Sequence, residues 1–241
     1  MGSLSHLRVL DLSRVLAGPW ASQIFADLGA EVIKIERPGG GDDTRSWGPP
    51  WMPDAAGNQS DSSAYYLCTN RGKHSLAVDL KSKEGQSCVR DIAKHCDVVI
   101  ENFKVGGTQS MGLDYPTLRA ENPRLVYCSI TGFGQTGPLA SRPGYDLLVQ
   151  AMGGLMSITG APEGEPQKVG VALSDIMTGL YGTIGTLAAL AERIASRASQ
   201  HWLVGFEARN VPAGPINTIA EAFEQPQVAA REMLVNVPPP R

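Results

Sequence analysis

The chain has 241 residues, 42% of them hydrophobic and 19% charged, with a formal net charge of −3. Those proportions exclude a disordered chain and leave enough apolar material for a sizeable core. A negative balance argues against a general electrostatic grip on nucleic acid, and no apolar run reaches the ~18 residues of a membrane span.

The N-terminus, MGSLSHLRVLDLS, runs into strand-like sequence at once, with no recognisable leader, so a cytoplasmic protein is the expectation. Residues 7–12 read as a strand, 15–29 as a helix and 31–36 (EVIKIE) as a second strand, which together make a βαβ unit. Segment 38–63 is rich in Pro, Gly, Asp and Ser and reads as a long ordered surface loop anchored by Trp47 and Trp51. The alternation returns with a strand at 75–80, a helix over 83–95 and a strand at 97–103. A short helix over 115–121 and a strand at 124–133 follow. This order predicts an α/β fold: a Rossmann-like, open, mainly parallel sheet with helices on both faces.

Beyond residue 137 the texture turns helical, with helices over 144–157 and about 174–197. The second carries Gly179, Gly182 and Gly185 at i, i+3, i+6, a stripe that admits close approach of another backbone. Residues 196–202 (SRASQHW) are an abrupt seam, after which a helix is expected over 218–231. The domain division drawn from this is 1–199 for the sheet-bearing body and 200–241 for a C-terminal segment.

Cys68, Cys88, Cys96 and Cys128 include no CxxC pair, and His6, His74, His95 and His201 form no ligand pattern. Reduced thiols and no metal site are the reading. The first βα junction, DLSRVLAGPW, lacks the GxGxxG of a dinucleotide-binding turn, although Glu36 stands where a ribose-binding acid would be. A nicotinamide enzyme therefore rests on the βαβ pattern alone. In an open parallel sheet ligands bind beyond the C-terminal strand ends. Arg14, Arg37, Lys81, Asn102 and Thr131–Gly134 all fall there. As a set they suit a phosphate-bearing ligand, while any one of the arginines is ordinarily just a solvated loop residue. Asp175, where an apolar run gives way to a helix, is either a capping acid together with Ser174 or a reactive carboxylate. Its ordinary acidity, near pKa ~3.9, would keep it ionised at neutral pH.

The stretches LDLSRVLAGPWASQIFADLGAEVIKIERPGGGD, VIENF, MGLDY, CSITGFGQTGP, GYDLLVQAMGG and GVALSDIMTGLYGT resemble the family III CoA-transferases, in family order across residues 7–195. Within that family, ERPGGGDDTRSWGPP and SITGFGQTGPLASRPGYD are most similar to members that use succinyl-CoA with glutarate or hydroxymethylglutarate. The resemblance implies that Asp175 is the catalytic nucleophile, carrying an aspartyl anhydride and then an aspartyl-CoA thioester. It implies CoA contacts from Val15, Leu16 and Ala17, and from Arg37 at the nucleotide end. Val78, Asp79, Leu80 and Lys81 match the adenine-side strand end. Asn102, Phe103 and Lys104 match another CoA contact, and Thr131, Gly132, Phe133 and Gly134 the loop beside the pantetheine arm. CoA or acyl-CoA is substrate here, with no permanently bound cofactor, and the partners implied are an acyl-CoA, a carboxylic acid and a second copy in a homodimer. A mitochondrial matrix location is implied as well.

Two positions depart from the pattern. Ser110 stands where several members have a CoA-contacting arginine, and Leu16 where the formyl-CoA members have a substrate-contacting glutamine, which argues against formate and oxalate. A larger departure lies at the seam. After it, WLVGFEARNVPAGPINTIAEAFEQPQV is similar to a later family segment, and the middle block, with its small domain and glycine-rich loop, has no counterpart. Two readings stay open: a working CoA-transferase, and a shortened CoA-binding form with impaired or no turnover.

Overall fold

The computed structural model describes residues 2–195, 198, 203–205, 215, 218–224 and 226–231. Contacts divide the chain into two units, Met1–Ala191 and Glu192–Arg241. In chain order the first unit holds β1 (Arg8–Asp11), α1 (Ala17–Asp27), β2 (Glu31–Glu36), β3 (Trp51–Pro53), β4 (Gln59–Ser63), α2 (Ala64–Asn70) and β5 (His74–Ala77). These are followed by α3 (Lys83–Ala93), β6 (Val98–Glu101), α4 (Gly107–Met111), α5 (Tyr115–Glu121), β7 (Val126–Ser129) and α6 (Asp146–Met152). A long helix, α7 (Leu173–Ala195), begins in this unit.

Five strands form the main sheet in the order β5-β2-β1-β6-β7, every neighbouring pair parallel. Side chains alternate across it as period-2 strands require. Val9, Val32, Val98 and Ile100 join Ala21 and Phe25 of α1 in one core, with Leu187 and Leu190 of α7 packed against it. Leu10, Leu12, Ile35 and Val99 face the other way, onto Val89 and Ala93 of α3 and Leu118 of α5. The expected α/β sheet with helices on both faces is what the chain forms. The β1 turn lies at the point where strand order reverses, with β2 on one side and β6 on the other.

Three expectations need correction. Segment 38–63 is more than the ordered surface loop expected: it contains a 3-10 turn over Asp43–Ser46 and the antiparallel hairpin β3–β4. Its Asp- and Ser-rich sequence hid strands that pair with each other and not with the main sheet. The helix expected over 144–157 stops at Met152, followed by a 3-10 turn over Leu155–Ile158, because Gly153 and Gly154 interrupt it. In the second unit, the helix expected over 218–231 is two short ones, α8 (Ile219–Phe223) and α9 (Pro226–Ala230). Proline lacks the N–H that would continue the first into the second. Thr218 and Glu221 form a capping box at the start of α8. The seam at 196–202, apart from residue 198, lies outside the described residues.

The glycine stripe on α7 is used unevenly. A Cβ on Gly179 would lie 2.7 Å from the Ala17 carbonyl oxygen, so α7 crosses α1 at backbone contact there. At Gly182 the nearest atom is the Cys128 Sγ at 3.4 Å, and at Gly185 there is open space. Gly179→Ala should therefore destabilise the protein by about 1–3 kcal/mol through overpacking. Gly185→Ala should stabilise it by roughly 1 kcal/mol through helix propensity. Urea unfolding of the two variants checks both signs.

Beneath the β1 turn lies a fully buried charge cluster. Asp11 accepts hydrogen bonds from Lys73 Nζ at 3.0 Å, from the Ser13 N–H at 2.9 Å and from the Ser22 hydroxyl at 2.5 Å. Lys34 Nζ pairs with Asp42 at 2.9 Å, donates to the Ser13 carbonyl at 2.9 Å and stands 4.0 Å from Asp11. Burial alone would push the Asp11 carboxyl up, yet Lys73, Lys34 and the two serine hydroxyls hold it well below the usual range. Burial pushes the Lys73 ammonium down to about 8, against the pull of Asp11. Removing one member leaves buried charge unpaired. Asp11→Ala should cost about 3–5 kcal/mol in urea unfolding at pH 7, whereas Asp27→Ala, from the exposed pair with Arg71, should cost under about 1 kcal/mol.

Candidate active site

The C-terminal ends of the strands enclose a cavity of about 530 Å³, a size ordinary for small-molecule sites. Leu12 and Arg14 enter it from the end of β1, Ile35 to Arg37 from β2, Val78 to Lys81 from the segment after β5, and Phe103 from beyond β6. Its floor is apolar and its rim carries Arg14, Arg37 and Lys81. A second cavity of about 490 Å³ shares the wall formed by Glu36, Arg37 and Gly41 and opens toward the β3–β4 hairpin.

The turn from β1 to α1 forms one end of the cavity and is held from two directions. Asn102 clamps the Arg14 backbone, accepting its N–H at 2.9 Å and donating to its carbonyl at 2.7 Å. Asp42 accepts the Val15 N–H at 3.3 Å and the Thr44 N–H at 3.0 Å. Val15 sits at φ 70°, where a β-branched residue is strained, a conformation that persists only when its surroundings impose it. Glu36, buried at the end of β2, pairs with Arg45 at 2.8 Å, and the Arg45 guanidinium lies 3.9 Å over the Tyr66 ring, tying segment 38–63 to the sheet.

Asp175 occupies the first turn of α7 and is half-buried. The free N–H groups of that turn do not serve it. Asp146, from the first turn of α6, accepts both the Ser174 N–H at 2.8 Å and the Asp175 N–H at 3.4 Å. The expected capping role of Asp175 with Ser174 is thus overturned: Asp146 is the cap, reaching across 29 residues. Gln150 steadies it, donating to Asp146 at 2.7 Å and accepting the Val169 N–H at 2.9 Å. Burial first, and the Asp146 charge second, push the Asp175 carboxyl up to about 6. At pH 7 it is then still mostly ionised, but far less acidic than the ordinary value the sequence suggested. Tyr65 is close enough for the Asp175 charge to help raise its phenol, after burial, and Trp47 packs edge-on against Tyr65 at 5.3 Å.

The residues expected to meet CoA fall into three groups. Arg37, Val78, Asp79, Leu80, Lys81 and Phe103 line the first cavity together. Val15, Leu16, Ala17 and Asn102 are at its edge in a different capacity: Leu16 and Ala17 are buried at the start of α1, and Asn102 fastens the turn. Lys104 is exposed and lines neither cavity. Thr131, Gly132, Phe133 and Gly134 lie apart from both cavities. A Cβ on Gly132 would fall 2.4 Å from the Gly144 Cα, so their loop runs against the segment leading into α6 and Asp146. Asp175 itself lines neither cavity. The Ser110 hydroxyl donates to the Gly107 carbonyl at 2.8 Å, within its own helix. Asp146, Tyr65, Asp42 and Asp43 escaped the sequence reading. Only the acid at the head of GYDLLVQAMGG carried a signal, as a carboxylate at a helix start.

Among the described residues no group of histidine, cysteine and acidic side chains is arranged to hold a metal ion, and no helix is long and apolar enough to cross a membrane.

Comparison with known proteins follows the same lines. The succinate–glutarate CoA-transferase of Agrobacterium fabrum is 57% identical over 198 residues, covering 82% of this chain and 49% of its own length. The human succinyl-CoA:glutarate CoA-transferase is 47% identical over 190 residues, covering 79% of this chain and 42% of its own. The crystal structure of a CAIB/BAIF family protein from Brucella suis superposes with a TM-score of 0.77 at 53% identity, over 81% of this chain and 50% of that one. The chain spans about half the length of the curated relatives it matches. The model of CoA-transferase family III matches residues 4–195 and again residues 189–241, and the chain belongs to that family.

Proposed function

We propose that the protein is a CoA-transferase that moves CoA from succinyl-CoA to a dicarboxylate such as glutarate, with Asp175 as nucleophile. The observation that carries this reading is a half-buried carboxylate at the head of α7, raised to about 6 by burial and by Asp146. A more basic carboxylate that is still ionised at neutral pH suits covalent catalysis. The cavity at the strand ends takes the nucleotide portion of CoA, with Arg37 and Lys81 toward its phosphates and Phe103 along its apolar wall.

The reaction balances without a general base. The Asp175 carboxylate attacks the succinyl thioester carbonyl, the C–S bond breaks, and CoA leaves as thiolate, giving a succinyl–aspartyl anhydride. The thiolate attacks the aspartyl carbonyl, succinate leaves, and an aspartyl-CoA thioester remains. Glutarate attacks that carbonyl, expelling thiolate and forming a glutaryl–aspartyl anhydride. Thiolate then takes the glutaryl group and frees Asp175. Each tetrahedral oxyanion needs donors worth about 3 kcal/mol apiece, and backbone N–H groups of the Thr131–Gly134 loop are candidates. In this reading residues 1–199 are the CoA-binding body and 200–241 a separate C-terminal segment. A homodimer belongs to it too, supported by the exposed apolar stripe of Met177, Leu180, Tyr181 and Ile184 on α7.

A second reading, CoA binding without turnover, is favoured by two observations: Asp175 lines neither cavity, and the chain spans half its relatives' length. Mass spectrometry after incubation with succinyl-CoA separates the two. A succinyl or CoA adduct on the peptide containing Asp175, absent in Asp175→Asn, is expected. A folded protein that binds CoA yet never acquires an adduct leaves only the second reading. Adduct formation should also fall about tenfold for each pH unit below 6, since protonation removes the nucleophile.

The same carboxyl predicts a stability signature. Its folded pKa is raised, so the protonated form is favoured by folding; that contribution is complete below ~4 and lost as pH rises through about 6. Asp175→Asn should therefore stabilise the fold by about 1–2 kcal/mol at pH 7 and by little at pH 4, as thermal unfolding at the two pH values would record.

A further inference from the structure

We infer that Arg14 and Arg37 form an anion-binding site across the cavity mouth, and that the Asp43 carboxylate occupies it until a phosphate group displaces it. One Asp43 oxygen is 2.5 Å from the Arg37 guanidinium and the other 3.3 Å from that of Arg14. The two arginines come from different strands, after β1 and after β2, and both line the first cavity. A single carboxylate between two guanidinium groups has the geometry in which a phosphate would bridge them.

The neighbouring charges are committed elsewhere. Glu36 is held by Arg45, Asp42 by Lys34, and Asp79 accepts the Lys81 N–H at 2.9 Å. Asp43 differs from Asp42 beside it, which is buried and caps the 3-10 turn. The Asp43 side chain is about one-third exposed, and those of Arg14 and Arg37 are 45% and 55% exposed. Ion pairs this open exchange partners at little cost. A phosphate group carrying more charge than one carboxylate wins the two guanidinium groups, and Asp43 swings to solvent. Asp43 thus sets the affinity of the site: it is a built-in competitor, and its removal strengthens anion binding. This inference rests on the reading of the cavity as the CoA site only for the identity of the natural ligand.

The test is titration calorimetry on the full chain with two probes, CoA and inorganic pyrophosphate. Asp43→Ala should bind both about three- to fivefold tighter than the parent protein. Asp43→Glu should restore the parent affinity. Asp61→Ala, which removes a carboxylate 3.9 Å from Arg45 and outside the first cavity, should change neither. Should Asp43→Ala fold poorly, Asp43→Asn serves, since the turn is capped by Asp42. Unchanged or weaker pyrophosphate binding by Asp43→Ala or Asp43→Asn overturns the inference, as does an equal gain from Asp61→Ala, which would mark diffuse charge and not an exchangeable partner. If pyrophosphate shows the gain and CoA binds to none of the proteins, the exchange stands and the CoA reading falls. If CoA binds parent and Asp43→Ala alike, the exchange falls and the CoA reading stands.

Discussion

Everything at the upper rim of the sheet rests on four charges that never meet water. Asp11 at the end of β1, Lys34 in β2, Lys73 before β5 and Asp42 in the loop after β2 come from four separate segments and converge under one turn. Burying them without partners would cost several kcal/mol each. The cluster therefore forms only when all four segments are in place, and it ties the β1–β2 half of the sheet to the loop that covers it. Its polar reach extends upward as well. Asp42 accepts the Val15 N–H, Lys34 donates to the Ser13 carbonyl, and Ser22 of α1 donates to Asp11. The strained turn that shapes the cavity is thus imposed from below by the cluster and from the side by Asn102.

The fold was legible because its strands are short, apolar and regularly spaced between helices. EVIKIE matched β2 residue for residue, and the Tyr115–Glu121 helix was read with both ends correct. Most other ends shrank by one to five residues, as at 124–133 against Val126–Ser129, whereas β5 and α7 begin one residue earlier than expected and α3 begins where it was read. The α2 and α4 helices, seven and five residues long, went unread because they are too short to show a period of 3.6 and lack the proline that marks the start of the equally short α5. Part of the buried cluster was visible in principle. In EVIKIE the alternation places Lys34 on the same face as Val32, a face buried against α1, and a lysine there requires a carboxylate partner. Which carboxylate could not be read, since Asp11 and Asp42 are joined to Lys34 only by the folded chain.

The site divided along the same line. Residues on strand ends followed from sheet topology, so Arg14, Arg37 and Lys81 meet in one cavity as position alone suggested, although Asn102 and Thr131–Gly134 do not line it. Contacts made between distant helices were invisible. Nothing local in GVALSDIMTG reveals that its helix N-terminus is capped by Asp146, and so the local rule for an acid in a first turn assigned the N–H groups to the wrong carboxylate. The error changes the chemistry as well as the geometry. A capping Asp175 would be strongly acidic and weakly nucleophilic. With the cap supplied by Asp146, Asp175 loses the donors that would stabilise its charge and gains a like charge nearby.

The placement of Asp175 follows from residues four to eleven positions along its helix. Gly179 lets α7 reach the backbone of α1, Gly182 keeps it close to Cys128 of β7, and Thr186 lies buried one turn further on. With 3.6 residues per turn, 175, 179, 182 and 186 share one face, so the same contact that seats the helix turns Asp175 toward the body of the unit. The opposite face carries Met177, Leu180, Tyr181 and Ile184 and is exposed. A helix apolar on both sides is normally covered on both. Its inner side is committed to holding a carboxylate where burial raises its pKa, an arrangement that costs stability and is retained elsewhere in proteins chiefly where chemistry uses it.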